Sequence, residues 1–178
     1  MFKVPASNPS LKRTCRGLYT FTQATPWSGF LDSTWDKSFD IYPGTVMTRV
    51  GNGDVFRPYV GTAGTKPFGL SSLFVAPTMG VSEVTDESLN AFAVWVGGEQ
   101  ALFEVLAPAF DQEADWSLDD QVGAQTMLTA NASGLLTPTG VTEYNAIAEL
   151  IEVRSPSKII VRLNRFDIAA TSAPAGGS

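Results

Sequence analysis

Residues 44–74 read GTVMTRVGNGDVFRPYVGTAGTKPFGLSSLF, and a similar pattern returns at residues 123–153, which read GAQTMLTANASGLLTPTGVTEYNAIAELIEV. Each copy begins at a glycine, turns at a small polar cluster that ends in glycine, and then reaches a proline. A loop rich in Gly and Thr, a second apolar run and a strand-like segment follow, the last at Phe92–Val96 and at 159–163. The pattern predicts a small β-unit used twice, with two unrelated hairpins as the alternative.

Turn chemistry supports this interpretation in the first copy. Gly51-Asn52-Gly53-Asp54 separates two apolar runs and predicts a hairpin, because Asn-Gly adopts positive φ at little cost. Pro58 lacks a backbone donor, so its strand is expected at an edge or a bulge. The motif contains glycines but no helix pattern follows it, so it is not a phosphate loop.

Other segments predict further strands. Phe92–Val96 is apolar on both faces and is expected to be buried on both, with Trp95 in the core. Gly97-Gly98-Glu99-Gln100 is expected to turn this strand directly into a partner over 101–106. The short link at 154–157 predicts a second hairpin, into a strand at Lys158–Leu163.

Composition limits the class of protein. The chain has 178 residues, of which 44% are hydrophobic, which suffices for the core of one domain. Its 16 glycines and 11 prolines lie between short Val-, Thr- and Phe-rich runs and favour an all-β fold. No apolar stretch approaches the roughly 20 residues of a membrane helix, so no membrane partner is expected.

Few residues are suited to catalysis. The chain has no histidine, which removes the commonest general base and metal ligand, and its one cysteine, Cys15, cannot form an intrachain disulfide. We therefore predict no enzyme activity and no cofactor, with a carboxylate-only hydrolase as an alternative. One acidic connector offers a candidate Ca²⁺ site, for which a solvated loop is the simpler interpretation. Its acids are Asp111, Glu113, Asp115, Asp119 and Asp120.

Charge is sorted along the chain, whose net charge is −6. Residues 1–31 contain Lys and Arg but no acid, whereas residues 67–153 contain thirteen acids and neither Lys nor Arg. The C-terminal part is basic again, and Arg154, Lys158 and Arg162 are expected along one strand edge, where they would oppose aggregation. The acidic middle argues against nucleic acid as a partner, and the basic ends are suited to a negatively charged one.

The N-terminal region differs from the rest. Residues 1–16 are basic, rich in Pro and Ser and aperiodic, which predicts an extended arm that only a partner orders. Large aromatic residues then crowd residues 27–42. We predict three segments: an arm with this aromatic stretch at 1–42, a β-rich domain at 43–168 and a flexible tail at 169–178. Within the domain, the two hairpin units are expected at 43–110 and 121–165.

Two sets of residues resemble a known family. Pro43-Gly44-Thr45-Val46 through Lys66-Pro67-Phe68-Gly69-Leu70 resembles the core of lambda-type head decoration proteins. The second unit, which ends with Ser155-Pro156-Ser157 and a strand at 159–163, is similar to the closing hairpin of tailed-phage capsid cement proteins. The resemblance implies a small β-barrel-like or β-tulip body and a non-enzymatic, often trimeric protein that braces the major capsid protein from outside.

The resulting prediction is a decoration or cement protein on the outer capsid surface of a virion, with the major capsid protein and itself, as a homotrimer, as partners. Another phage structural protein (of the tail or the head–tail joint) and a carbohydrate-binding β-module are the alternatives. Docking is expected through basic and aromatic side chains of the N-terminal region. These are Lys3, Lys12, Arg13, Arg16, Trp27, Trp35 and Phe39.

Overall fold

The computed structural model is all-β, as the sequence predicts, and no helix occurs in the residues it describes. These residues are 14–18, 24–35, 38–51, 53–62, 64–75, 92–97, 101–116 and 126–163. The strands within them are β1 Cys15–Gly17, β2 Thr25–Leu31, β3 Val46–Arg49, β4 Val55–Pro58, β5 Pro67–Ser71, β6 Phe92–Val96, β7 Leu102–Leu106, β8 Thr126–Ala130, β9 Leu136–Thr137, β10 Ala148–Ser155 and β11 Lys158–Leu163.

Strands β2–β6 form a closed barrel, which we call the first lobe, in the order β2-β4-β3-β5-β6. The predicted hairpin is present as the antiparallel pair β3–β4, and Gly51 in its turn has a φ of 62°. The barrel closes because β2 changes partner along its length, pairing antiparallel with β6 and then parallel with β4 through Phe30 and Leu31. Pro58 ends β4 beyond this parallel pairing, so β2 needs no donor from it.

The small barrel brings backbones so close that two strand positions admit only glycine. A Cβ at Gly29 of β2 would lie 2.0 Å from the Asp54 carbonyl oxygen, and one at Gly69 of β5 would lie 2.3 Å from that of Trp95. The core of this lobe is a cluster of apolar residues. Its buried residues are Leu31, Ile41, Met47, Phe56, Val75 and Val94, with Trp35 and Phe68 packed against them.

The other strands form a curled six-stranded sheet, which we call the second lobe, in the order β1-β7-β11-β10-β8-β9. The predicted C-terminal hairpin is present as β10–β11, and residues 148–153, which also have helix-favouring side chains, are a strand. Phe110, just after β7, makes a parallel bridge to Leu136 of β9, and the Asp111 amide donates to the Leu136 carbonyl at 2.9 Å. This bridge bends the far edge of the sheet back towards its start.

The two lobes repeat one strand order. In the first lobe the order is β4-β3-β5-β6, and in the second it is β9-β8-β10-β11. The strand before each hairpin also pairs in the same way in both lobes. β2 runs antiparallel to β6 and then parallel to β4, and the β7–Phe110 segment runs antiparallel to β11 and then parallel to β9. The repeated unit is therefore a five-strand curl that includes a strand before the hairpin, which the sequence pattern did not reveal.

The predicted turn from β6 into β7 is wrong. β6 pairs with β2 and β5 in the first lobe, whereas β7 pairs with β1 and β11 in the second, so the chain crosses between lobes after Val96. A Gly-rich link between two apolar runs favours a hairpin locally. The duplicated topology overrides that preference, because each strand gains more stabilisation from pairing within its own lobe than from a local hairpin.

The lobes pack directly on each other. The Val46 amide donates to the Gly134 carbonyl at 2.8 Å, and Val46, Tyr59 and Leu70 of the first lobe belong to the core of the second. Trp95 was expected in the core, but it is half-buried, with its ring 6.1 Å from that of Phe103 across the junction. The side chains on one face of β6 pack inside the barrel. Those on the other face, including Trp95, point to the junction between the lobes and are only partly buried.

The N-terminal region is partly built into the body. Thr14 is buried and donates from its hydroxyl to the Pro43 carbonyl at 2.7 Å, and β1 pairs with β7. The expectation of a partner-ordered arm over residues 1–16 is therefore wrong for 14–16, because the edge of β7 supplies backbone hydrogen bonds. Residues 1–13 and the predicted tail lie outside the described residues, and β2 comes from the predicted arm segment 1–42.

Candidate docking surfaces

A basic surface lies on the second lobe, over a buried acid. Glu104 of β7 is 2% exposed, and its carboxylate accepts from the Arg16 Nε of β1 at 2.8 Å. Lys158 of β11 places its Nζ 3.4 Å from the other carboxylate oxygen, and Arg154 of β10 its Nη1 at 3.8 Å. We call these four residues the Glu104 cluster.

The Glu104 cluster presents positive charge in a fixed arrangement. One buried carboxylate faces three cations whose side chains are 66%, 39% and 36% exposed for Arg16, Arg154 and Lys158. A charge-assisted hydrogen bond holds Arg16 and ion pairs hold Lys158 and Arg154, while the outer faces of all three cations remain in solvent. The expected basic strand edge is wrong, because Arg154 and Lys158 lie on β10 and β11, each of which pairs with a strand on both sides. The cluster instead joins these two residues to Arg16 from the N-terminal region. The third member of that edge, Arg162, is paired instead with Glu149.

An aromatic surface lies on the first lobe, around Trp27 of β2. The Trp27 indole is 38% exposed, donates from Nε1 to Asp54 at 3.0 Å and meets the Phe68 ring edge-on at 5.6 Å. The Arg49 guanidinium lies 5.2 Å from the Trp27 ring centre and is ion-paired with Asp54. We call these four residues the Trp27 cluster. Such amphipathic rings with a fixed hydrogen bond are typical anchors in protein interfaces.

The other predicted aromatic residues lie differently. Trp35 is half-buried against the core of the first lobe, and its ring meets that of Phe39 at 5.7 Å, so this pair closes the barrel more than it faces solvent. Phe30, at 49% exposure, is the most exposed large aromatic side chain of β2. Sequence reasoning placed it among the aromatic residues of 27–42 but did not select it as a docking residue, because the sequence did not show that it lies on the outer face of β2 between the buried Gly29 and Leu31.

The structure does not bring the predicted docking residues into one site. Arg16 belongs to the second lobe, and Trp27, Trp35 and Phe39 belong to the first. The basic residues at positions 3, 12 and 13 lie outside the described residues. Two separate surfaces therefore emerge from the described part of the chain. Glu104 and Arg49, which organise them, had no signal in the sequence beyond being charged residues next to apolar strands.

Few of the described residues are suited to act as nucleophiles or metal ligands. Burial raises the pKa of the Cys15 thiol to about 12, so it is protonated at neutral pH and is a poor nucleophile. No group of three or more metal-binding side chains is arranged around a common point in the described ranges, and Asp119 and Asp120 lie outside them. Within the same ranges, no helix is long and apolar enough to cross a membrane.

The acidic loop that was considered as a candidate Ca²⁺ site has a structural explanation of its own. Asp111 accepts from the Glu113 amide at 3.1 Å, a two-residue turn, and its carbonyl accepts from the Trp116 indole at 2.6 Å. Asp32 of the first lobe forms the equivalent turn with the Thr34 amide at 2.9 Å. The two loops occupy the same place in the repeat, so the leading aspartate is explained by turn formation.

Comparison with known proteins identifies the family of the chain. A family model described as phage cement protein matches residues 1–178, the whole chain. No curated protein and no solved structure matches it. Phage cement proteins are structural components of the virion capsid, which fits an all-β body with fixed basic and aromatic surfaces. The chain belongs to the phage cement protein family, as its resemblance to capsid decoration proteins predicted.

Proposed function

We propose that this protein binds the outside of the assembled icosahedral phage head and stabilises it, without catalysis, by docking on the major capsid protein as a homotrimer. The observation that carries the proposal is the family match over all 178 residues, which covers both lobes and the N-terminal region. The β-tulip description of the body, the trimer and the outer location are parts of this proposal.

Stabilisation of a shell in this way is additive. Each copy contributes modest contacts, and many copies that bridge neighbouring subunits add up to a large resistance against internal pressure. The Glu104 cluster suits this role, because its cations are already held in place and lose little further freedom on binding. Trp27 is held similarly by Asp54 and Arg49.

We propose that docking uses Arg16 and Trp27 with the basic residues Lys3, Lys12 and Arg13, and that Trp35 and Phe39 support the aromatic surface from within. Arg16 is the most exposed cation of the Glu104 cluster, at 66%. Placing contacts on both lobes gives one copy two anchor points. Two linked contacts then bind more tightly than either alone.

The test adds purified protein to expanded empty heads of the phage that encodes it. We expect saturable binding and a higher temperature of shell disruption. Arg16→Glu and Trp27→Ala should each weaken binding by about tenfold or more, since central aromatic and Arg residues dominate interfaces. Tyr144→Ala is the control, because Tyr144 is 63% exposed and belongs to neither cluster.

Two outcomes would contradict the proposal. Binding to tails or head–tail connectors but not to shells would favour the other class of virion protein. Full binding by both the Arg16 and Trp27 variants would place the docking site elsewhere on the molecule. The trimer is tested separately, by mass measurement of the free protein and by counting copies on the particle.

A further inference from the structure

A basic groove lies beside the first hairpin. It is a cleft of about 560 Å³ between the β3–β4 hairpin and the loop that leads into β5. Its lining includes three cations and no acid, together with hydroxyl and aromatic side chains. The cations are Arg49, Arg57 and Lys66, and Arg49 and Phe68 also belong to the Trp27 cluster at one end of the groove.

The groove's positive charge is only partly neutralised within the chain. Arg57 is 40% exposed and lies 3.9 Å from the nearest Asp32 carboxylate oxygen, which is the limit of an ion pair. Lys66 is exposed and makes no ion pair with the described residues. The molecule as a whole has a net charge of −6, so this basic cleft stands out against an acidic body.

The second lobe shows that the fold does not require these cations. In the first hairpin Thr48 pairs with Arg57 and Arg49 with Phe56, whereas in the second Thr129 pairs with Thr137 and Ala130 with Leu136. Thr137 and Ala130 therefore occupy the places of Arg57 and Arg49. The same hairpin forms without the two arginines, so this topology does not require them. Arg49 also supports its own hairpin turn, because its Nε donates to the Gly53 carbonyl at 2.8 Å, so Arg57 and Lys66 carry the binding charge of the groove.

An acidic loop with the complementary charge lies on the second lobe. Residues 111–116 follow β7 and include three acids, in a stretch of chain without Lys or Arg. The loop is held rigidly, since the Gln112 amide donates to the Pro156 carbonyl at 3.0 Å and the Trp116 ring packs edge-on against Phe110 at 5.3 Å. Glu113 is exposed and makes no ion pair with the described residues.

We propose that the basic groove of one copy binds the acidic loop 111–116 of a second copy, with Lys66 facing Glu113. The two surfaces differ and lie on different lobes, so the contact is head-to-tail, and three such contacts related by a three-fold rotation close into the proposed trimer. The proposal rests on the homotrimer of the proposed function and specifies how its copies meet. The rigid loop and the preformed cleft limit the entropy lost on association.

The test measures self-association of the full chain by sedimentation at about 50 mM salt, where surface charges are weakly screened. Lys66→Glu and Glu113→Lys should each weaken association by about tenfold, since reversal turns an attraction at every contact into a repulsion. The double variant with both changes should restore association. Lys66→Glu with Glu143→Lys should not, although it has the same net charge, because Glu143 lies in another exposed loop.

A zero-length carbodiimide cross-linker gives an independent readout. It joins amines to carboxylates in direct contact, so we expect a Lys66–Glu113 linked peptide in the oligomer band of the wild-type protein and none in the monomer band. A protein that stays monomeric at low salt and high concentration, or a double variant that is not restored, would overturn the inference. Shell binding by such a protein would leave the capsid-binding part of the proposed function standing and would contradict only the trimer of the free protein.

Discussion

Gly29 shows how a single residue sets the geometry of the first lobe. Its missing side chain lets β2 approach the hairpin, because a Cβ there would lie 2.0 Å from the Asp54 carbonyl oxygen and 2.6 Å from the Phe56 ring. Both neighbours are part of the barrel wall and cannot move away alone. The residue is therefore selected by close approach and not by a left-handed φ.

We expect Gly29→Ala to lower the free energy of unfolding by about 2–3 kcal/mol, the cost of overpacking a tight interior. Gly53→Ala is the matched control, since its nearest neighbour would be the Val55 side chain at 4.0 Å, and it should change stability by less than about 0.5 kcal/mol. Urea denaturation measures both. Equal effects would show that the barrel relaxes around the added methyl group.

Cys15 gives the molecule a pH dependence at high pH. Burial raises its thiol pKa from 9.0 to about 12, so above pH 9 the unfolded chain loses this proton while the folded one keeps it. The contribution to stability is present below pH 9 and is lost as pH rises towards 12. Between pH 9 and 10 the wild type should lose about 1 kcal/mol more unfolding free energy than Cys15→Ala. Parallel curves for the two proteins would contradict this.

At the scale of elements, Glu104 connects four strands. Its carboxylate on β7 meets cations from β1, β10 and β11. Removing the negative charge leaves three cations close together without their common partner. The strand edge formed by β1 should loosen first, because β1 has only three residues and pairs with β7 alone.

We expect Glu104→Gln to lower the free energy of unfolding by about 2 kcal/mol, in the range for hydrogen bonds to charged groups. Glu152→Gln is the control, since Glu152 is 51% exposed and pairs with Arg154 only, and it should change stability by less than about 0.5 kcal/mol. Hydrogen exchange should show faster exchange of the Leu106 amide, which donates to Thr14 at 2.7 Å. Unchanged exchange would mean that β1 is held by its backbone alone.

At the scale of the whole molecule, the two lobes should be thermodynamically coupled through Trp95 and Phe103. Their rings meet at 6.1 Å across the junction. A double-mutant cycle with alanine at both positions should give a coupling of about 0.5–1.5 kcal/mol. The control pair is Trp35 and Trp116, which lie in different lobes and whose rings do not contact each other. Their coupling energy should stay below about 0.5 kcal/mol.

A second prediction for the whole molecule concerns the position of the boundary between the docking region and the folded body. Deleting residues 2–13 removes no described strand and should leave the melting temperature within about 2 °C of the wild type while weakening shell binding. Deleting residues 2–17 also removes Thr14, β1 and Arg16, and should lower the melting temperature by about 5 °C or more. Equal melting of both truncations would show that β1 contributes nothing to stability.

The sequence by itself determined the local features of this protein. Polar clusters that end in Gly53 and Gly134 marked the turns of the β3–β4 and β8–β9 hairpins, and period-2 alternation marked the last strand. Both signals are local, because φ preference and side-chain alternation depend on near neighbours. The resemblance to cement proteins came from the placement of these same turns. The doubling of the pattern was also visible, since each copy carries its own turns.

Only the tertiary structure decided which strands pair and which charges meet. β6 and β7 are neighbours in the chain but belong to different lobes, because pairing is set by the burial of whole faces between distant strands. Glu104 gathers cations from residues 16, 154 and 158, a convergence that no local pattern encodes. The basic groove likewise forms where the β3–β4 hairpin lies beside the loop before β5, so only the tertiary structure brings its cations together.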